Sequence, residues 1–250
     1  MFRSIVVTFL ALLSFGETVA QSGKTHFIDE DIQLIHLQDS IYIHKSYHYF
    51  ESYGRFPSNG LLVIKNGQAL LVDTPIDNAK TEKLARYIID SLGVEIKQLV
   101  IGHFHEDCLG GLEYLKTIGV SSLANSLTVA KCEEDSLQIP SSSFTGSTTF
   151  SFNGEAIECR FFGGGHSFDN ITVWLPNRKI LMGGCMVRAS GAKGLGNLSD
   201  AVPAEWDTSI QKVLDAYPAA SIVIPGHGNY GGTELLSHTI DLVKAYRAIN

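Results

Sequence analysis

The sequence predicts a layered α/β domain with mixed sheets, and three observations carry that expectation. Strand-like runs occur in both halves of the chain. Some are joined by tight hairpin signals and others by helical stretches, so antiparallel and parallel pairing both belong in the sheets. Hydrophobic residues make up 44% of 250 positions, enough for a sizeable core in one domain.

The elements follow in order. Ile32-Gln33-Leu34-Ile35 and Ile41-Tyr42-Ile43 read as strands on either side of the turn Gln38-Asp39-Ser40. Ser46 to Asn59, rich in tyrosine, phenylalanine, glycine and proline, reads as the tip of a hairpin. Gly60 to Lys65 and Ala69 to Val72 are strands joined by Asn66-Gly67, a dipeptide that tolerates the positive φ of a two-residue hairpin turn. Asp77 to Leu92 has helical periodicity, with Leu84, Tyr87, Ile88 and Leu92 on one face and Gly93 as its stop. Lys97 to Ile101 is a strand of the buried type, and a helix starts near Leu112. In the second half Ala156 to Phe162, Ile171 to Leu175 and Lys179 to Met182 read as strands. Pro203 to Tyr217 reads as a helix, Ser221 to Ile224 as a strand and Thr233 to Ile249 as a closing helix.

Composition excludes some functions. Charged residues are 18% of the chain and the formal net charge is -7, with no block of lysine or arginine. A nucleic-acid surface therefore has no electrostatic footprint. At the N-terminus Arg3 precedes the apolar run Ile5 to Phe15, broken only by Thr8 and Ser14, and Thr18-Val19-Ala20 offers small residues for cleavage. Residues 1–20 are expected to be a removed export signal, leaving 21–250 as one periplasmic domain. The run is shorter than the ~20 apolar residues that span a bilayer, so no stable membrane association is expected. No strong dimer signal appears, and a monomer is expected.

Four segments carry chemistry. His103-Phe104-His105-Glu106-Asp107 follows an apolar strand and precedes Gly110-Gly111, which are expected to let the backbone turn tightly into the next helix. Histidines at i and i+2 point to one side of an extended chain, and a carboxylate two residues later joins them if the chain turns. Taken alone this is also what a polar turn with two solvated histidines looks like. Gly163-Gly164-Gly165-His166, Gly183-Gly184-Cys185 and Pro225-Gly226-His227-Gly228 repeat the placement, each offering one metal-ligand residue in a glycine-rich turn past a short apolar strand. Active-site residues of open α/β sheets lie at the carboxyl ends of strands. His103, His105, Asp107, His166, Cys185 and His227 are too many for one tetrahedral zinc with an open position. They divide into two sites of three.

At these residues the chain resembles the subclass B1 metallo-β-lactamases, over essentially all of 21–250. Relatives in the wider superfamily place a histidine after the motif aspartate and a bridging aspartate where this chain has Cys185; here Cys108 follows Asp107. The subclass with one active zinc has asparagine in place of the first motif histidine, unlike His103. The resemblance implies an αβ/βα four-layer sandwich with two mixed sheets and the site along one edge. It implies two zinc ions, one held by His103, His105 and His166 and the other by Asp107, Cys185 and His227. It implies broad hydrolysis of the β-lactam amide bond of penicillins, cephalosporins and carbapenems, conferring antibiotic resistance, by a zinc-held hydroxide without a covalent intermediate. Asp107 would orient the hydroxide, and Asn197 would lie near the substrate carbonyl or carboxylate. The family places a lysine three residues after the cysteine ligand to bind the substrate carboxylate. This chain has Arg188 there, and Lys193 in the same loop shares that expectation. Within Ser46 to Asn59, Tyr47, Tyr49, Phe50, Tyr53 and Phe56 would fold over apolar groups of the substrate or pack the loop base. Asp73 matches a position beside the ligand segment.

Among the other candidates, Cys108 would lie beside the ligands, its thiol open to oxidation or alkylation. Cys132 and Cys159 are expected to be buried thiols, although export permits a bridge between them. His26, His36, His44, His48 and His238 lack the glycine-turn setting and are read as structural. Two other readings stay open on the residues alone: a hydrolase of the same fold acting on a thioester, lactone or phosphodiester, and an exported zinc-binding protein without catalysis.

Overall fold

The computed structural model describes residues 24–51 and 54–249; the expected export signal and Tyr53 lie outside the described residues. Thr25–Phe27 (β1), Ile32–Gln38 (β2), Ile41–Phe50 (β3), Gly54–Lys65 (β4), Gln68–Val72 (β5), Glu95–Val100 (β6), Ser121–Asn125 (β7) and Ser142–Phe144 (β8) form one sheet in chain order. Ser147–Phe152 (β9), Glu155–Arg160 (β10), Thr172–Leu175 (β11), Ile180–Gly184 (β12) and Ile222–Pro225 (β13) form the second. Both are mixed: β5 to β8 pair in parallel, as do β12 and β13, and the remaining pairs are antiparallel.

The alternation of side chains builds the layers. In β5 Ala69 and Leu71 face one way, packing with Leu84 and Ile88 of the helix Asn78–Arg86 (α1) and its π-type extension Tyr87–Ser91. Leu112 and Leu115 of Leu112–Thr117 (α3) and Cys132 of Ser126–Glu134 (α4) complete that core. Leu70 and Val72 face the other way, against Ile157, Val173, Met182 and Ile224 of the second sheet. That sheet's outer face, through Trp174, Leu181 and Val223, meets Trp206, Ile210 and Val213 of Pro203–Ala216 (α5) and Leu236 and Val243 of Glu234–Ile249 (α6). The result is helix on sheet on sheet on helix, as expected. Each fully buried aliphatic side chain contributes about 1.5–3 kcal/mol of transfer free energy, and a one-residue slip in β5 would exchange its two faces.

The sequence reading missed β1, β7, β8, β9 and α4. Ser121–Asn125, though mostly buried, is built from small and polar residues, and Ser142–Phe144 and Ser147–Phe152 are polar and largely exposed, so all three lack the apolar signal used to find strands. The Ser46 to Asn59 loop is also more regular than a hairpin tip. Strand pairing continues through Tyr49↔Arg55 to Phe50↔Gly54, so β3 and β4 project as one long arm. Gly110 and Gly111 have φ of -60 and -95, which any residue adopts. Their reason is space: a Cβ on Gly110 would meet the Ile76 carbonyl oxygen at 2.0 Å, and one on Gly111 the Thr81 hydroxyl at 2.0 Å. No disulfide joins Cys132 and Cys159. Both are free and buried in different layers.

Candidate metal centre

Strand β6 delivers His103 and His105 two residues apart, and His105 flanks the short helix Glu106–Leu109 (α2) in extended conformation. The start of α2 supplies the turn that brings Asp107 back beside the histidines. His166 arrives from the β10–β11 loop, Cys185 directly follows β12, and His227 lies two residues past β13. Gly226 makes the last approach possible, since a Cβ there would sit 2.3 Å from Cys185 Sγ.

The six side chains converge as two trios. His105 Nδ1 lies 2.9 Å from His103 Nε2 and 3.2 Å from His166 Nε2. Cys185 Sγ lies 3.4 Å from Asp107 Oδ2 and 3.3 Å from His227 Nε2, and that nitrogen is 3.3 Å from Asp107 Oδ2. Asp107 joins the trios, because its Oδ1 turns toward His103 Nε2 at 3.9 Å. Around a tetrahedral zinc with nitrogen ligands at ~2.0–2.1 Å, neighbouring ligand atoms sit about 3.4 Å apart. The ligand atoms of Asp107, Cys185 and His227 all lie within 4.8 Å of one another, as do those of His103, His166 and Cys185, and the two His105 spacings fall in the same range, so the cluster can hold metal.

Charge distinguishes the two. Burial pushes His103 down to about 3 and His166 to about 2, so both rings are neutral at pH 7 with lone pairs to offer. Burial alone would raise Asp107, but His227, His103 and His166 bring it to about 2. The Cys108 thiol, donating to Cys185, holds the latter below the ordinary thiol value. Burial would lower His227, yet the Cys185 sulfur and the Asp107 carboxylate raise it to about 9. The Asp107 carboxylate and the Cys185 sulfur both favour positive charge beside them, which marks the place where a cation is wanted.

Outer partners set which nitrogen each candidate ligand turns inward. Carboxylates and carbonyls only accept, so His105 Nε2–H donates to Asp200 Oδ2 at 3.0 Å and leaves the Nδ1 lone pair facing the cluster. His227 Nδ1–H donates to the Pro57 carbonyl at 2.8 Å, turning Nε2 inward. Asn59 clamps the same loop through its side-chain NH2, 2.9 Å from the carbonyl oxygens of both Pro225 and Gly228. Asp169 welds two ligand loops: its Oδ2 accepts from Phe104 N at 3.0 Å and Thr128 Oγ1 at 2.7 Å, and its Oδ1 from Ser167 Oγ at 2.7 Å. Asp73 Oδ1 accepts from Gly102 N at 2.6 Å, which places it beside the ligand segment. The sequence reading missed Asp200, Asp169 and Asn59.

Several known proteins resemble this chain along most of its length. No family model matches the chain. A curated protein named metallo-beta-lactamase type 2 from Bacteroides fragilis is 42% identical over 238 residues, covering 95% of this chain and 96% of its own. The chain belongs to the metallo-β-lactamase family. A protein of the same name from Bacillus cereus is 35% identical over 248 residues, covering 96% of each chain. The solved metallo-beta-lactamase from Pontibacter korlensis superimposes with a TM-score of 0.83 at 38% identity, covering 85% of this chain and 99% of its own. The relatives' names imply metal ions, and the His, Cys and Asp groupings are the candidate holders.

In this member of the metallo-β-lactamase family the remaining site candidates divide. Phe56 packs its ring 4.6 Å from that of His227, and Phe50 and His48 share its face of the arm. Tyr47 and Tyr49 lie on the opposite face, Tyr47 beneath the Arg55 guanidinium and Tyr49 71% exposed. Arg188 is half-buried, its Nε donating to the Gly194 carbonyl at 3.2 Å, whereas Lys193 is exposed and has no ion pair among the described residues. Asn197 is exposed and accepts from Ser199 N at 3.1 Å. Cys108 is buried rather than open to reagents, its thiol 3.1 Å from His103 Nδ1 and pushed well up by burial. Of the histidines read as structural, His36, His44 and His238 bond backbone carbonyls.

Proposed function

We propose that this chain is an exported, two-zinc β-lactam hydrolase of the cysteine-ligand subclass B1. The observation that carries the reading is the pairing of unlike trios across one shared carboxylate. His103, His105 and His166 form a neutral set; Asp107, Cys185 and His227 form an anionic one. The first would hold one zinc and the second the other. When bound, the two ions supply Lewis acidity that polarises a carbonyl and acidifies a water near neutral pH.

The chain's own residues complete the chemistry. Asp107 commits Oδ2 to the anionic trio and turns Oδ1 toward His103, so Oδ1 holds the attacking water by accepting one of its protons. Water adds its oxygen to the lactam carbonyl carbon, the C–N bond breaks, and the proton the water gives up is delivered to the departing ring nitrogen. No protein nucleophile is required, and no covalent intermediate forms. Phe50 and Phe56 form an apolar wall on the His227 side for the substrate's side group. Arg188, with Lys193, meets the substrate carboxylate, and Asn197 donates its side-chain amide to the carbonyl or carboxylate oxygen. An export signal over 1–20, a single domain over 21–250, a monomeric state and a spectrum reaching carbapenems belong to the same reading.

The test is hydrolysis of a chromogenic cephalosporin and of a carbapenem by the zinc-loaded protein, before and after chelation. A thioester and a lactone are run beside them. Ring opening that disappears on chelation and returns with zinc is expected. Loaded protein that leaves both β-lactams intact, or stripped protein that retains full activity, would overturn the reading.

A further inference from the structure

The segment Asn197 to Val202 touches both loops that carry the three-histidine trio. Its far end, Val202 N, donates to the Gly165 carbonyl at 2.8 Å, next to His166. Its middle, Asp200 Oδ2, accepts from His105 Nε2 at 3.0 Å and from Ser199 Oγ at 2.8 Å. Ser199 N in turn donates to Asn197 Oδ1 at 3.1 Å. Three hydrogen bonds, relayed through Ser199 and Asp200, therefore connect the exposed amide of Asn197 to the ring of a candidate zinc ligand. Beyond Val202 the segment is fixed by α5, whose Trp206 is buried and donates through Nε1 to the Met186 carbonyl at 2.8 Å.

We propose that Asp200 is a positioning residue of the three-histidine site, and that with Ser199 it links the orientation of His105 to the segment bearing Asn197. The inference rests on the two-zinc reading above. An imidazole can turn about its own axis and present either nitrogen. His105 is the only one of the three cluster histidines that presents Nδ1, the nitrogen nearer its backbone, while His103 and His166 present Nε2. A carboxylate on Nε2–H fixes that choice and increases the electron density offered at Nδ1. His166 Nδ1 is buried with no hydrogen-bond partner, so the trio has no equivalent support on that ring. Asp200 is about a third exposed at its side chain and lies in a loop, so its removal leaves the core layers intact.

The test compares Asp200→Ala, Asp200→Asn and Ser199→Ala with the unaltered protein by zinc competition against a chromophoric chelator. The thermal midpoint of each metal-free protein is measured alongside. Asp200→Ala is expected to weaken one of the two zinc ions by roughly 10–100-fold, leaving the other ion and the metal-free midpoint unchanged. Asp200→Asn keeps an oxygen acceptor and is expected to recover part of the loss; Ser199→Ala is expected to lose least. Asp200→Ala that titrates like the unaltered protein, or that weakens both ions equally with a lowered metal-free midpoint, overturns the positioning role alone. An unaltered protein that takes up no zinc overturns the two-zinc reading and this inference with it.

Discussion

The two corners of the metal centre share Asp107 yet are held by different means. At the three-histidine corner the donors are neutral, and carboxylates secure them: Asp200 fixes the His105 ring and Asp169 fixes the Phe104 backbone between the two histidines. At the other corner the donors bring their own negative charge, and the framework supplies carbonyls and clearance. Pro57 orients His227, Asn59 clamps its loop, and Gly226 leaves room for the Cys185 sulfur. The contrast teaches that a neutral ligand set needs outside carboxylates to fix its orientation. An anionic set attracts its cation directly and needs chiefly to be brought together.

Chelation is the harshest way to break the comparison, because it would remove what both corners are proposed to hold. Hydrolysis of every β-lactam tested is expected to fall to the uncatalysed background. Metal analysis before and after should show two zinc ions per chain reduced to none. Substitution of one anionic donor separates the corners. Cys185→Ser exchanges a group that ionises for one that does not near neutral pH. The expected result is loss of the zinc at that corner by more than the roughly 10–100-fold that outer partners carry, with the three-histidine ion retained. A Cys185→Ser protein that still holds two zinc ions with unchanged affinity would remove the cysteine from the ligand set.

Asp169 sharpens the contrast differently, because its role reaches the fold as well as the site. Asp169→Ala would strand Phe104 N, Thr128 Oγ1 and Ser167 Oγ in buried surroundings. Each stranded buried group costs roughly 1–3 kcal/mol, so urea unfolding of the metal-free protein should shift to a clearly lower midpoint. The same measurement on Asp200→Ala should barely move. Equal midpoints for the two variants would show that Asp169 does not weld the loops.

Which residues were legible in the sequence follows from how local their signals are. Cys185 and His227 each sit within two residues of a strand end, with glycines beside them, so residue type and position together pointed to the site. The four layers were legible where apolar residues alternate, as in Ala69 to Val72, and were lost where serines replace them, as in β7 to β9. Asp200 and Asp169 were not legible because their partners lie 95 and 65 residues away. Asn59 reaches a carbonyl 166 residues away. Nothing in an isolated Asp or Asn states which distant loop it will bond. The aromatic arm was half legible: its composition was plain, but only the register Tyr49↔Arg55 and His48↔Phe56 shows that Phe56 faces His227 and Tyr49 does not.

The smallest expected effect concerns the cation proposed to meet the substrate carboxylate. Arg188 is three residues past Cys185, half-buried, and tethered by Nε to the Gly194 carbonyl. Its side chain is already ordered, so little freedom is lost when its remaining N–H groups bind a carboxylate. Lys193 is exposed and must be ordered for each binding event. A hydrogen bond to a charged group contributes about 1.5–3 kcal/mol, whereas an exposed ion pair contributes about 0–1 kcal/mol. Arg188→Ala is therefore expected to raise KM for a cephalosporin about 10- to 100-fold with a smaller change in kcat, and Lys193→Ala by less than about fivefold. Steady-state kinetics on both variants decides the assignment. A larger effect from Lys193→Ala would move the anchor to the tip of the loop, and the ordered guanidinium would then serve only to brace Gly194.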